Sequence, residues 1–300
     1  IKFYLMSKNT FAILLIFLSI FFGTSMGTLM KLAQDDLNVY TAGFLRFVLG
    51  FLIVFPYILK TKFSVYNTPN FKIHLIRSCL NLPAMLLGFA ALAMIPFEKV
   101  SALHFVVPFF VTILAVIFLK EKIKIYRIAA LIIGFIGMLV ILRPGIIDIS
   151  IGIQMTLLSS FIWAVVIIIT KKLTKNDSAI TILTYQYTFM TLLSFFIVIF
   201  FWQTPSLISF IYIFMAAISG SIFHIIINHV YKLVDVSMTQ PFSFLGLILA
   251  SFYGYYIFDE KPDFYTWAGA IIIFLGVIII TIREIKLNKD LVRSKLSINS

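Results

Sequence analysis

Cysteine and charge are the scarcest features of this sequence. Cys79 is the single cysteine, so no internal disulfide forms, and no Cys/His spacing suits zinc or an iron–sulfur cluster. We expect Cys79 to be a small packing residue inside a helix. Charged residues make up 12% of the chain, whereas a soluble domain needs about a quarter to cover its surface. The composition excludes a water-soluble domain, and we expect neither a metal nor a cofactor.

Motifs of enzymes and of nucleic-acid binding are also missing. The chain has no HExxH, no G-x-S-x-G, no P-loop and no paired intramembrane aspartates, and an intramembrane hydrolase needs such a nucleophile or metal set. A net charge of +12 would suggest nucleic acid in a soluble protein. Here the basic residues stand singly between apolar runs, and no basic stripe is interleaved with aromatics. We therefore expect no catalysis and no nucleic-acid partner, and we expect a lipid bilayer as the surroundings.

Long hydrophobic runs dominate what is present. Apolar residues make up 61% of the chain, and its mean hydropathy is +1.07. A helix needs about 20 apolar residues to cross the hydrocarbon core of a bilayer. The sequence therefore predicts an all-α integral membrane protein with ten transmembrane helices, of which the first is an uncleaved span. The predicted spans are 10–32, 40–60, 73–95, 100–119, 124–143, 152–172, 180–202, 207–231, 236–258 and 264–283.

Lysine and arginine are distributed unevenly between alternate loops. If the N-terminus is inside, eighteen of the 24 basic residues fall on cytoplasmic segments and four on outer segments. The other two, Arg46 and Arg77, lie inside spans. Because basic residues favour the cytoplasmic side, both termini are predicted to be cytoplasmic. Residues 1–9 then form a cytoplasmic N-terminal segment, and residues 285–300 form a cytoplasmic charged tail.

The second half of the chain repeats the first. Residues 118–141 and 257–280 match at nine positions at an offset of 139, among them Glu121 with Glu260 and the lysine after each. Because each repeat holds five spans, an odd number, the second copy crosses the bilayer upside down. Inverted repeats allow a carrier to present one site to either side alternately. For the two glutamates we expect end-of-helix electrostatic and hydrogen-bonding roles.

Both repeats share a proline, a Glu-Lys pair and two glycines. The first stretch, 77–145, contains LKEKIKIYRIAALIIGFIG, and the second, 238–284, contains FDEKPDFYTWAGAIIIFLG. Both resemble EamA-type carriers of the drug/metabolite transporter superfamily. The residues that carry the pattern are Pro108, Glu121, Gly134 and Gly137, and then Pro241, Glu260, Gly269 and Gly276.

The resemblance implies two inverted five-helix repeats, residues 10–145 and 146–284, around a central cavity. Members of this family carry amino acids, nucleotide-derived metabolites, vitamins or drugs, so a small-molecule metabolite is implied as the substrate. Gly134 departs from the pattern because its equivalent is Ile273, and we expect the packing there to differ between the halves. The sequence does not fix the oligomeric state and is compatible with a homodimer.

Polar side chains inside the spans are the candidates for a binding site, because each is costly at bilayer depth unless it is paired or hydrated. Arg46 has Gln186 as its repeat mate. A guanidinium suits a carboxylate or phosphate, but Arg46 could instead reach the headgroups or pair with Asp35 or Asp36. Asp and Glu are absent from the span interiors, so proton coupling would have to use histidine.

Prolines and a central tryptophan mark further candidates. His104 precedes Pro108, and its counterpart Gln240 directly precedes Pro241. Because proline bends a helix, these neighbours can face a cavity, and interhelical hydrogen bonding is the alternative. Trp163, midway along span six, can form a stacking wall for a planar or cationic ligand, or fill the core.

A polar stripe runs along one face of span eight. His224, Asn228 and Tyr231 are spaced i, i+4, i+7, and Arg77 and Asn81 repeat the i, i+4 spacing on span three. The two stripes indicate either a shared central site or structural hydrogen bonds. For Arg77 we expect contact with the membrane interface.

As a whole, the sequence predicts a secondary transporter that moves a small organic metabolite across the cytoplasmic membrane of a prokaryote by alternating access. The substrate would be amino-acid, nucleotide-derived or vitamin-like. The alternative is a non-transporting membrane scaffold or partner subunit, which needs no water-accessible cavity. A channel is not favoured, because no charge ring or carbonyl filter would select ions. The predicted substrate-binding residues are Arg46, Asn81, His104, Trp163, Gln186, His224, Asn228 and Gln240.

Overall fold

The fold is seen in a computed structural model that describes residues 8–94, 103–104, 106–142, 150–258 and 264–298. Within those residues it consists of helices joined by turns and loops, without strands. The helices are α1 (Lys8–Ala33), α2 (Val39–Lys60), α3 (Phe71–Met94), α4 (Val107–Leu119), α5 (Ile125–Leu142), α6 (Ile151–Leu173), α7 (Ala179–Phe201), α8 (Leu207–Leu233), α9 (Val236–Thr239), α10 (Leu245–Ile257) and α11 (Phe264–Ile298). Two 3₁₀ segments, Ser64–Tyr66 and Gln240–Phe244, complete the described elements.

Most predicted spans coincide with a helix to within one or two residues, which is the amount by which assignments of helix ends ordinarily differ. Six helices are long and apolar enough to cross a membrane by length and composition, and shorter apolar helices accompany them. The prediction of a multi-pass, all-helical membrane protein is confirmed, while the count of ten spans stays a prediction. Predicted span four differs, because α4 begins at Val107 and residues 100–102 lie outside the described residues.

The last helix is longer than its predicted span. α11 runs from Phe264 to Ile298, past the predicted end at residue 283 and into the predicted charged tail. Residues 284–298 contain neither proline nor glycine and are rich in good helix formers. Because nothing in this stretch ends a helix, α11 continues into the predicted charged tail.

Several helices begin at a side chain that closes their first turn. Asn38, Ser150, Ser178 and Ser206 have extended backbones, and each accepts a hydrogen bond from an amide three residues ahead. A cap of this kind is worth about 1 kcal/mol. The polar residues between the hydrophobic runs therefore decide where α2, α6, α7 and α8 start.

Glu121 closes the start of another helix from a distance. Its carboxylate accepts hydrogen bonds from the amides of Val236 and Ser237, at 2.9 and 3.0 Å, in the first turn of α9. Arg127 donates to Asp235 at 3.1 Å beside it. The predicted end-of-helix role is confirmed for Glu121, whereas Glu260 lies outside the described residues.

Helices of the two halves pack in pairs that a two-fold axis would exchange. α1 packs along α8, and its repeat equivalent α6 packs along α3. Equivalent helices also meet directly, α2 with α7 and α5 with α11. The two halves are therefore interleaved, which is the layout of two structural repeats.

Two acidic loop residues follow the same relation. Asp36, between α1 and α2, accepts a hydrogen bond from Ser209 in the first turn of α8. Asp177, between α6 and α7, accepts one from Asn70 at 2.9 Å and lies 3.1 Å from His74 Nε2. Each carboxylate therefore ties a loop of one half to the start of a helix in the other half.

The crossing of α5 and α11 depends on glycine. A Cβ added at Gly137 would lie 2.8 Å from the carbonyl oxygen of Gly269 and 2.7 Å from Ile273 Cγ1. Gly134 instead accommodates the ring of Phe244, which an added Cβ would approach to 2.5 Å. The expected difference between the halves at Gly134 is confirmed, because Ile273 packs at the helix crossing.

Large apolar side chains point outward from the bundle, as lipid surroundings require. Phe200 is 81% exposed and Leu207 is 75% exposed. Cys79 lies within a helix, as predicted, but its side chain is exposed on the same kind of surface, so the prediction that it is a packing residue is wrong. Its small apolar thiol stands on the outer face of α3, near Ile76, which is 54% exposed.

Candidate functional site

A cavity of about 270 Å³ lies between the two halves of the chain. Trp163, Phe223 and Tyr231 form aromatic parts of its wall. His104, Trp163 and Gln240, three of the predicted site residues, line it. The lining residues are Ile16, Ser19, Ile20, His104, Val107, Pro108, Trp163, Ile167, Phe223, Ile227, Tyr231, Thr239, Gln240 and Ser243.

The prolines explain how polar groups reach this cavity. Pro108 stands in the first turn of α4, where its missing N–H costs no hydrogen bond. Pro241 stands in the 3₁₀ segment between α9 and α10, so the helical span Val236–Ile257 changes its winding there. His104 and Val107, which precede Pro108, and Gln240, which precedes Pro241, line the cavity.

Within the described residues, His104 and Gln240 each have one polar atom held by a contact within the protein and a second polar atom without one. His104 Nδ1 lies 3.2 Å from Ser160 Oγ. Gln240 Nε2 donates to the carbonyl oxygen of Val236 at 3.1 Å and to Thr239 Oγ1 at 2.9 Å. In the described part of the chain, His104 Nε2 and Gln240 Oε1 make no hydrogen bond. Both atoms can therefore contact a ligand.

A second polar group lies behind the cavity wall. Arg77 Nε donates to Thr170 Oγ1 at 2.6 Å, and Arg77 Nη2 donates to Gln186 Oε1 at 2.9 Å. Gln186 Nε2 lies 3.2 Å from His224 Nε2. Arg46 lies next to Gly220, one turn before His224 on α8, where an added Cβ would be 3.6 Å from Arg46 Nη1. We call Arg46, Arg77, Gln186 and His224 the arginine cluster.

Arg46 is half-buried, and its guanidinium contacts a sulfur atom and an aromatic ring. Its Nη1 lies 3.2 Å from Met26 Sδ, and its guanidinium lies 4.4 Å from the centre of the Phe47 ring. The Asp36 carboxylate accepts a hydrogen bond from Ser209. Hydrogen bonds from Ser209 and Ser206 also hold the pKa of its carboxyl below the usual value. The structure therefore does not pair Arg46 with Asp36.

Arg77 is the residue that the sequence interpretation placed wrongly. It is 3% exposed and bonded to α6 and α7, so it does not reach the membrane interface. Its hydrogen-bond partners, Thr170 and Gln186, are both neutral. No local sequence signal could have found its position, because Thr170 and Gln186 lie on other helices, far away along the chain.

The two predicted asparagines are buried outside the cavity lining. Asn81 is 4% exposed and Asn228 is 1% exposed. Asn228 Nδ2 is fully enclosed and has no hydrogen-bond partner among the described residues. Asn228 follows His224 by one helical turn, on the cluster side of α8.

Helix α8 joins the cavity to the arginine cluster. Phe223, Ile227 and Tyr231 line the cavity from one face of the helix. His224 and Asn228 occupy the adjacent face, and the Phe223 and His224 ring centres are 4.9 Å apart. The aromatic cavity therefore lies next to the arginine cluster, on the adjacent face of α8.

Comparison with known proteins points to transport. The model of the EamA-like transporter family matches the chain twice, over residues 10–143 and 150–282. An S-adenosylmethionine uptake transporter of Rickettsia bellii is 27% identical over 90% of this chain and 92% of its own length. A riboflavin transporter of Vibrio cholerae is 29% identical over 84% of this chain and 86% of its own. These similarities confirm that the chain is a transporter and not an enzyme.

The fold has also been seen in a crystal. One solved crystal structure superimposes with a TM-score of 0.79 over 93% of this chain and 99% of that chain, at 16% identity. At this identity the match concerns the arrangement of helices alone. The interleaved packing is therefore a fold that is already known.

Proposed function

Because the chain belongs to the EamA-like transporter family, we propose that it is a secondary carrier of a small organic metabolite. It would work in the cytoplasmic membrane of a prokaryote, with ten spans in two inverted repeats and both termini inside. The interleaved packing of equivalent helices and the excess of basic residues on one set of loops support this topology.

The observation that carries this proposal is the cavity between the halves. α1 and α4 of the first half and α6, α8 and the 3₁₀ segment of the second half all contribute lining residues. When one half rocks against the other, a site built this way is exposed first to one side of the membrane and then to the other. Alternating access around this cavity is the mechanism that we propose.

The substrate class follows from the chemistry of the walls. The two named relatives carry S-adenosylmethionine and riboflavin, which both contain a fused nitrogen heterocycle. Trp163 offers such a group a stacking surface, and His104 and Gln240 offer hydrogen bonds at its edge. A nucleotide-derived or vitamin-like metabolite therefore suits the cavity better than a small aliphatic one.

Energy coupling would not use a carboxylate of the described spans, because their interiors contain none. Histidine is the side chain whose ordinary pKa lies nearest to neutral pH, and the site contains His104 and His224. If transport is coupled to protons, these two histidines are the candidates. Exchange of one metabolite for another needs no such group.

Thermal unfolding of the purified protein in detergent tests the substrate class. A ligand at 100 times its dissociation constant adds about 2.7 kcal/mol to the native state, which is visible as a rise in Tm. We expect a rise with at least one member of a panel of amino acids, nucleosides, vitamins and cofactors that includes S-adenosylmethionine and riboflavin.

Variants then locate the site. Trp163→Ala is expected to weaken binding of the stabilising compound by about tenfold, from the loss of roughly 1.5 kcal/mol of aromatic contact. Trp267→Ala is the matched control, because Trp267 is 63% exposed on α11. If folded Arg46→Ala, His224→Ala and Trp163→Ala proteins all transport that compound at wild-type rates, the site assignment is wrong.

A further inference from the structure

Among the described residues, no carboxylate forms an ion pair with the arginine cluster. In the residues that the structure describes, neither Arg46 nor Arg77 makes an ion pair, and the interiors of the described spans hold no Asp or Glu. A buried cation is costly unless an anion lies near it. The described residues therefore supply the cation of an ion pair at this site but not its anion.

Arg77 is the cation that is better prepared to bind an anion. Thr170 and Gln186 fix two of its nitrogens, so its planar guanidinium is already oriented. Its Nη1 makes no hydrogen bond to any described residue. Arg46, by contrast, is half-buried and rests on Met26 and Phe47.

A separate observation also points to a missing polar group. Asn228 is 1% exposed, and its Nδ2 donor has no partner among the described residues. Burying a donor without a partner is unfavourable, and most buried polar groups in native structures have a partner. Asn228 lies one turn from His224, which Gln186 links to Arg77.

The position of Arg77 relative to the cavity decides what could supply the anion. Thr170, which accepts the hydrogen bond from Arg77 Nε, lies about one helical turn beyond Ile167 on α6, and Ile167 lines the cavity. A molecule whose flat part lies against Trp163 therefore has Arg77 close to the Ile167 end of the cavity, behind its wall. Carboxylates and phosphates are the groups that a guanidinium binds through paired hydrogen bonds.

We propose that Arg77 binds a carboxylate or phosphate of the transported molecule, so that this carrier selects heterocyclic metabolites that bear an anionic group. This inference rests on the proposed function. It adds a specificity-determining residue and narrows the substrate to planar organic anions or zwitterions.

Two matched pairs of compounds test the inference. S-adenosylmethionine is compared with its decarboxylated form, and flavin mononucleotide with riboflavin, so that the members of a pair differ in one anionic group. Dissociation constants are taken from the ligand dependence of Tm in a neutral detergent. The proteins compared are the wild type, Arg77→Gln, Arg77→Lys and, as the control, Arg283→Gln, whose arginine is exposed on α11.

The wild type is expected to bind the anionic member of at least one pair about tenfold more tightly or better. Arg77→Gln should abolish this preference and leave the affinity for the other member within about twofold, because only the charge-assisted contact is lost. Arg77→Lys should retain part of the preference, and Arg283→Gln should behave as the wild type. If Arg77→Gln does not fold, the wild-type preference and its reduction in Arg77→Lys decide the question.

Equal binding of both members of each pair by the wild type overturns the inference but leaves the proposed function standing. Equal weakening of both members by Arg77→Gln overturns it too, since a purely structural arginine would act in that way. If none of the four compounds binds the wild type, the substrate class proposed above is wrong, and the inference fails with it, although the chain can still be a carrier of another metabolite.

A lipid headgroup could supply the same anionic chemistry. The measurements are therefore repeated with phosphatidylglycerol added to the detergent. We expect the preference for the anionic metabolite to persist. If the lipid abolishes that preference, and stabilises the wild type but not Arg77→Gln, the anion at Arg77 is a headgroup and the assignment to the substrate is wrong.

Discussion

At the scale of single residues, the site could be predicted where a local signal existed. Prolines pointed to His104 and Gln240, and both line the cavity. Arg77 was misplaced because its partners, Thr170 and Gln186, are 93 and 109 residues away along the chain. Nothing local distinguishes an arginine that reaches the interface from one that two other helices enclose.

The Glu121 cap gives a prediction about stability. Glu121→Ala should lower the free energy of unfolding by about 1 kcal/mol, because two amides at the start of α9 lose their acceptor and the helix dipole loses a neighbouring charge. The measurement is Tm in detergent. Lys122→Ala is the control, since the adjacent Lys122 is exposed. Equal Tm values for the two variants would contradict the capping role.

At the scale of helices, span positions followed from hydropathy and length, and cap residues set several of the starts. The 3₁₀ segment Gln240–Phe244 was only partly foreseen, because a proline predicts a disturbance of the helix but not its form. The continuation of α11 beyond the predicted span was missed, because the bilayer signal ends at residue 283 while the helix-forming signal does not.

The crossing of α5 and α11 yields a second prediction. Gly137→Ala should destabilise the protein by about 1–3 kcal/mol, because the new methyl group would meet the carbonyl oxygen of Gly269 at 2.8 Å. Gly27→Ala is the matched control, since an added Cβ there meets nothing within 4 Å. Gly27→Ala should leave Tm unchanged or raise it slightly, because alanine favours the helix. A Gly137→Ala protein as stable as Gly27→Ala would show that the helices are not in close contact.

The contacts of Asp177 with Thr68, Asn70 and His74 give a third prediction about stability. Asp177→Ala should cost about 1–3 kcal/mol, because Thr68, Asn70 and the buried His74 all lose their partner. Asp35→Ala, in the equivalent loop of the first half and exposed, should have no measurable effect on Tm. If both variants unfold at the same temperature, the loop does not stabilise the start of α3.

At the scale of the whole molecule, the repeat was visible in the sequence, but its packing was not. The Glu-Lys motif and the glycines showed that the halves are related. The packing of α1 along α8 and of α6 along α3 results from many weak apolar contacts between segments that are distant in the sequence. This interleaving is what places the cavity between the halves, where a rocking motion can open it to either side.

Accessibility of the cavity from each side of the membrane tests the carrier account most directly, and it needs no knowledge of the substrate. The protein is His104→Cys in a Cys79→Ser background, because the natural thiol is exposed. Membrane vesicles of either orientation are treated with an impermeant maleimide. Leu183→Cys in the same background is the control, since Leu183 is fully buried in the core.

The account predicts that the cysteine at position 104 is labelled from both faces and that the cysteine at position 183 is labelled from neither. Labelling of position 104 from neither face would contradict a water-accessible cavity. That result would favour a non-transporting membrane scaffold.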